Sequence, residues 1–239
     1  MESTIAIGTR INFKQPIDIL KIQPYISFLE EYSRTITSKQ AKLNKFTIPA
    51  SDDQPLNLPM AVIQMDDTFS ASVSRGGIAI QSTVNARNNS IDVIAKHLSG
   101  QLSNFISSSS LFSPNQIKSI SCSISRRIPI ESLFNLKEVI SMTPYSALKN
   151  EITDYGFSLE MFTTPIISGT TSQSFSYTTL IDEEKKQSML QIASNILIGG
   201  INFSTKQYVN ATTEQIEKFI NSITKESISE ILRKLYAGW

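Results

Sequence analysis

The sequence predicts an α+β fold: a mostly antiparallel sheet with packed helices, two strand-rich halves and a C-terminal helix pair. Three observations carry this. Residues 58–82 run through three short stretches in which apolar and polar side chains alternate, the period of two that marks half-buried strands. A second strand-rich region covers residues 157–203. Between and after these regions, apolar residues recur at spacings of three and four, the period of an amphipathic helix.

In chain order, Thr4 to Lys14 reads as a strand, with Ile5, Ile7, Ile11 and Phe13 apolar and Gly8 marking a bulge. Pro16 opens an isoleucine-rich segment, and Pro24 either breaks it or begins a helix at its first turn. Tyr25, Ile26, Phe28, Leu29 and Tyr32 then share one helical face, with Glu30 and Glu31 on the wet side. Residues 39–59 are polar and punctuated by proline, a loop around a short strand near Phe46 and Ile48.

The meander follows. Ala61, Ile63 and Met65 alternate with Val62, Gln64 and Asp66; Phe69, Ala71 and Val73 with Ser70, Ser72 and Ser74; Ile78 and Ile80 with Ala79 and Gln81. Asp66-Asp67-Thr68 and Arg75-Gly76-Gly77 divide the runs, and glycine there is expected to supply the positive φ of a tight hairpin. Asn88-Asn89-Ser90 caps a helix through Ile106, which carries His97 beside its apolar stripe.

After a serine-rich breaker, Ile117 to Ile128 suggests a strand ended by Arg126-Arg127. A helix over residues 133–140 and a short one from Thr143-Pro144 to Asn150 come next. Strands are expected over 157–167, 174–181 and 189–203, with Gly199-Gly200 a bulge or kink in the last and Asp182 to Lys186 a hairpin loop. Thr212-Thr213-Glu214 opens the final helical region, and Thr224 caps a second helix bearing Ile228, Ile231, Leu232 and Leu235. The organisation is one domain, 1–239, with a possible subdivision into 1–115 and 116–239.

Composition bounds the function. A chain of 239 residues can bury a sizeable core. The formal net charge of +1 does not push it towards nucleic acid or an acidic membrane. No apolar run approaches the ~20 residues that span a bilayer, and MESTIAIGTRINF lacks the pattern of a secretory signal. With one cysteine, Cys122, no intrachain disulfide can form, and a cytoplasmic setting is expected. One cysteine and one histidine also cannot supply the common zinc centres. No glycine-rich nucleotide motif is present, so no cofactor is expected.

The order of elements, with the run from Met60 to Ile80, the strand ISCSISRRIPIE at Ile120 to Glu131 and the tail IEKFINSITKESISEIL at Ile216 to Leu232, resembles a sporadically distributed family of uncharacterised bacterial proteins of similar length. The resemblance covers most of the chain and rests on element order and apolar spacing. It implies an α+β fold and no established activity, and it carries over no site residues.

Three functions are then weighed. The first is a non-enzymatic interaction or scaffold protein, a homo-oligomer with a dimer favoured, that binds a protein partner through exposed edges of its Ser/Thr-rich sheet. The second is a carboxylate-dependent metal enzyme acting on a phosphodiester, with ligands drawn from Asp66, Asp67, Asp154, Glu160 and Asp182. The third is a nucleic-acid binder using Lys118, Arg126, Arg127, Arg233 and Lys234. Candidate ligand or partner contacts are Asp66, Asp67, Arg126, Arg127 and Trp239. Asp66 and Asp67 are read as turn formers before metal ligands. Arg126 and Arg127, adjacent on a strand, point to opposite faces. Trp239 either covers the end of the last helical stripe or protrudes as a docking tip.

Overall fold

A computed structural model of the chain describes residues 4–48, 55–66, 68–85, 111–129, 147, 158–163, 172–182, 187–202 and 207–222. Its centre is a nine-stranded antiparallel sheet in the order β2-β3-β4-β5-β1-β6-β9-β8-β7. The strands are β1 Thr4–Phe13, β2 Lys42–Phe46, β3 Pro59–Met65, β4 Phe69–Ser74, β5 Gly77–Asn85, β6 Ile117–Pro129, β7 Ser158–Thr163, β8 Ser172–Asp182 and β9 Gln187–Ile198. β10 Gly200–Asn202 and β11 Gln207–Val209 form a separate ribbon. Helix α1 spans Gln23–Thr37 and helix α2 Thr213–Ser222.

The period of two is obeyed where it was read. Ala61, Ile63, Phe69, Ala71, Val73, Ile78 and Ile80 are all buried on one face of the β3-β4-β5 meander. The same face continues through Ile5, Ile7 and Ile11 of β1 and Ile120, Cys122 and Ile124 of β6. α1 covers the sheet at β2, β3 and β4 with Ile22, Ile26 and Leu29. Pro24 stands at its first turn, and the helix stops at Ser38, whose φ of 62° breaks the repeat. An aromatic group seals its start: Phe28 meets Phe112 edge-on at 5.3 Å, and Phe13 and Tyr25 close around the same ring. α2 opens with a capping box, in which the Gln215 amide N–H donates to Thr212 Oγ1 and Thr212 N–H donates to Gln215 Oε1. It buries Ile216 and Phe219.

Four expectations about glycine and arginine change. Gly8 is not bulged: it pairs in register with Gln81 and Ser123, and the register shift falls at Asn12/Phe13. Gly76 and Gly77 do not adopt positive φ. They are needed for close approach, since a Cβ on Gly77 would lie 2.1 Å from the Ile11 carbonyl oxygen. Gly199, with φ of 69°, ends β9 outright and turns the chain into the β10–β11 ribbon, so the expected long strand is broken rather than kinked. β6 runs past Arg126 and Arg127 to Pro129 because both keep pairing with β9. The helices expected over residues 88–106, 133–140, 144–150 and from Thr224 lie outside the described residues, Ala147 apart. Of the C-terminal pair, α2 is therefore the helix described.

The two strand-rich halves are joined in one sheet by β1 and β6. Each half begins with the strand at this junction and ends with the strand beside it: β1 pairs with β5, and β6 with β9. The ladder thus has a topological twofold centred on the Gly8–Ser123 pair.

Candidate functional site

The second face of the sheet is the chemically unusual one. β4 places Ser70 and Ser72 on it, and β6 places Ser121 and Ser123. Gln81 of β5, Arg10 of β1 and Asn195 of β9 join them through the ladder. This face holds a trough of about 580 Å³, lined also by Ala79, Leu197 and, from β7, Glu160. A volume of several hundred Å³ is that of a ligand-sized cleft.

The floor is small and polar. Across the middle row the ladder reads Ser70, Gln81, Gly8, Ser123, Asn195 and, at the next register position, Ser174. The twofold exchanges these in order: Gly8 with Ser123, Gln81 with Asn195, Ser70 with Ser174. One row away it relates Ala79 to Ala193 and Ser72 to Ser176. Gly8 lies close to its neighbour here, since a Cβ would stand 2.7 Å from Ser123 Oγ, which would have to turn aside. Among the described residues, no side-chain hydrogen bond engages Ser70, Ser72, Gln81, Ser121, Ser123 or Asn195. Their donors and acceptors are open to whatever enters.

Two charges break the symmetry. Arg10 has Ser125 as its counterpart, and Glu160 has Val62. The Arg10 guanidinium is steadied by Nε donating to Asn12 Oδ1 at 3.1 Å, and Asn12 in turn donates to Ser119 Oγ at 2.8 Å. Glu160 is exposed and, among the described residues, has no ion-pair or hydrogen-bond partner. Cys122 lies beneath the floor with its thiol in the core. Burial pushes that thiol up to about 12, a hydrogen bond with Thr9 opposing the shift, so it stays protonated and unreactive at neutral pH.

The residues picked from the sequence do not come together. Asp66 sits exposed in the β3–β4 turn with φ of 43°, and Asp67 lies outside the described residues. Arg126 is half-buried on the core side, in register with Ile5, while Arg127 is exposed on the trough side beyond its lining. Lys118 is at the opposite end of β6 from both. Asp182 ends β8. Asp154, His97, Arg233, Lys234 and Trp239 lie outside the described residues. Among the described residues, no three His, Cys, Asp or Glu side chains converge as a metal cluster, and no helix is long and apolar enough to cross a membrane. Sequence reading missed the serines, Gln81, Arg10 and Asn195. The alternating serines of β4 and β6 were the available signal, but strand pairing was needed to set them side by side.

Compared with the known protein families, the chain matches none, and a search of curated proteins likewise finds no match.

Proposed function

We propose that the protein is a non-catalytic interaction protein that receives a polypeptide segment of a partner in the serine-floored trough. The observation that carries this reading is the convergence, in one cleft, of hydroxyl and amide side chains with no internal hydrogen bonds. A peptide backbone offers one donor and one acceptor per residue, and a floor of serine, glutamine and asparagine answers both. Small floor residues let a chain lie close, and among the described residues no aromatic side chain lines the trough as a platform for flat or sugar ligands.

The trough is also a better surface than the sheet edge at β2. That edge is guarded: Leu43 N–H donates to the Glu30 carboxylate at 3.2 Å, Lys42 and Lys45 are exposed on it, and a register shift interrupts it between Leu43 and Lys45. Charge, capping and irregularity of this kind oppose the addition of another strand.

The test is selection of random displayed peptides on the parent protein and on Ser123→Trp, which fills the floor. The parent is expected to enrich a peptide set that the filled variant does not. Equal enrichment on both, or none on the parent, would sink the reading.

A further inference from the structure

We infer that the trough reads charge as well as backbone: its segment carries an acidic side chain that meets Arg10 and a basic side chain that meets Glu160. This rests on the peptide-binding reading above.

The argument starts from the twofold. Several positions of the ladder pair by the twofold with a residue of the same kind, Ser70 with Ser174, Ser72 with Ser176, Gln81 with Asn195, Ala79 with Ala193, although Ser174, Ser176 and Ala193 lie beyond the trough's lining, and Ser121 and Leu197 have Ala6 and Thr83 as counterparts. The serine, glutamine and asparagine floor carries no charge with which to orient a ligand. Arg10 and Glu160 supply it. Arg10 belongs to the row of Ser121, and Glu160 to the row of Ser125. These rows lie four residues apart on β6, about 13 Å along the strand direction at ~3.3 Å per residue, and β1 and β7 are four strands apart, about 19 Å across at ~4.8 Å per strand, so the two positions are separated by about 23 Å on the diagonal. The cation and the anion therefore stand on opposite sides of the central row, yet both line the one cavity.

Among the described residues, neither charge has an ion-pair partner. The Arg10 fork spends Nε on Asn12 and keeps its terminal nitrogens for a partner, the geometry that suits a carboxylate. Glu160 has no partner among the described residues. A ligand carrying both signs satisfies both groups, and a ligand with one sign leaves one of them without a complementary charge. The occupant is thus a mixed-charge, otherwise polar segment.

The experiment is titration calorimetry with a capped octapeptide, glutamate first, lysine last and six alternating serines and glycines between, a spacing of about 23 Å when extended, and with two relatives in which the glutamate or the lysine becomes glutamine. On the parent protein, each neutralised peptide is expected to bind roughly fivefold more weakly, the upper worth of one partly exposed ion pair. On Arg10→Gln the glutamate should cease to matter while the lysine still does, and on Glu160→Gln the reverse. Both substitutions are at exposed positions, so folding is expected to survive, and circular dichroism checks it. If all three peptides bind the parent equally, the charge inference is overturned while peptide binding stands. If none binds the parent more tightly than it binds Ser123→Trp, or Ser121→Tyr should that variant not fold, both fall together.

Discussion

At the scale of the residue, the glycines of β1 and β5 show how two similar substitutions can differ in cost. A Cβ on Gly77 would stand 2.1 Å from the Ile11 carbonyl oxygen, which is backbone of the neighbouring strand. A Cβ on Gly8 would meet Ser123 Oγ, a side chain able to swing away. Gly77→Ala should therefore lower stability by more than ~2 kcal/mol, the scale of overpacking in a closed site, and Gly8→Ala by clearly less; urea midpoints compare them. Cys122 gives a second test. Its folded pKa lies above the reference of 9.0, at about 12, mainly through burial. The folded state then holds the proton more tightly than the unfolded state. The associated stability is fully present below pH 9 and is lost as pH rises towards 12. At pH 8, labelling of the thiol should proceed only through unfolding and should speed up with added urea in step with the unfolded population. Rapid labelling of the folded chain would contradict the burial.

At the scale of the element, legibility followed local chemistry. The β3-β4-β5 meander was readable because Phe69, Ala71 and Val73 alternate with serines and face a core. The start of α2 was readable because Thr212 and Gln215 form a capping box. That box predicts a cost of about 1 kcal/mol for Thr212→Ala, seen as a lower thermal midpoint, with Thr212→Ser close to the parent. What depended on partners distant in sequence was not readable. The break at Gly199 arises because Ala211 N–H donates to the Lys118 carbonyl at 2.9 Å and crowds the turn. The trough was hidden for the same reason. Ser70, Ser123 and Asn195 each look like solvent-facing strand residues, and β-pairing across long stretches of chain is what places them in one row.

At the scale of the whole molecule, the point where the chain could have been divided, near residue 115, is bridged by one continuous sheet. β1 pairs with β6 through nearly its whole length, and one apolar cluster runs from Ile63 and Leu29 to Ile196 and Phe219. Amides of β4 and of β9 should therefore exchange with the same free energy of opening, and calorimetry should show a single transition. Two transitions, or a β8–β9 hairpin that opens well before β4, would show that the halves are held together more loosely than the ladder implies.

The position of β1 also has a consequence in time. It is made before the other strands of this sheet, yet it sits in the middle of it, with Gly8 opposite Gln81 on one side and Ser123 on the other. During synthesis it must wait for two partners, the second of which emerges only when about half the chain has followed it. Its edge towards β6 stays open for that interval, after β5 has been made. A newly made chain halted before β6 presents an unpaired sheet edge at β1, and a similar isoleucine-rich strand nearby can pair with it. Folding is governed by such distant closures and belongs to the slow regime. The nascent protein is therefore most vulnerable to wrong pairing before residue 129 has left the ribosome.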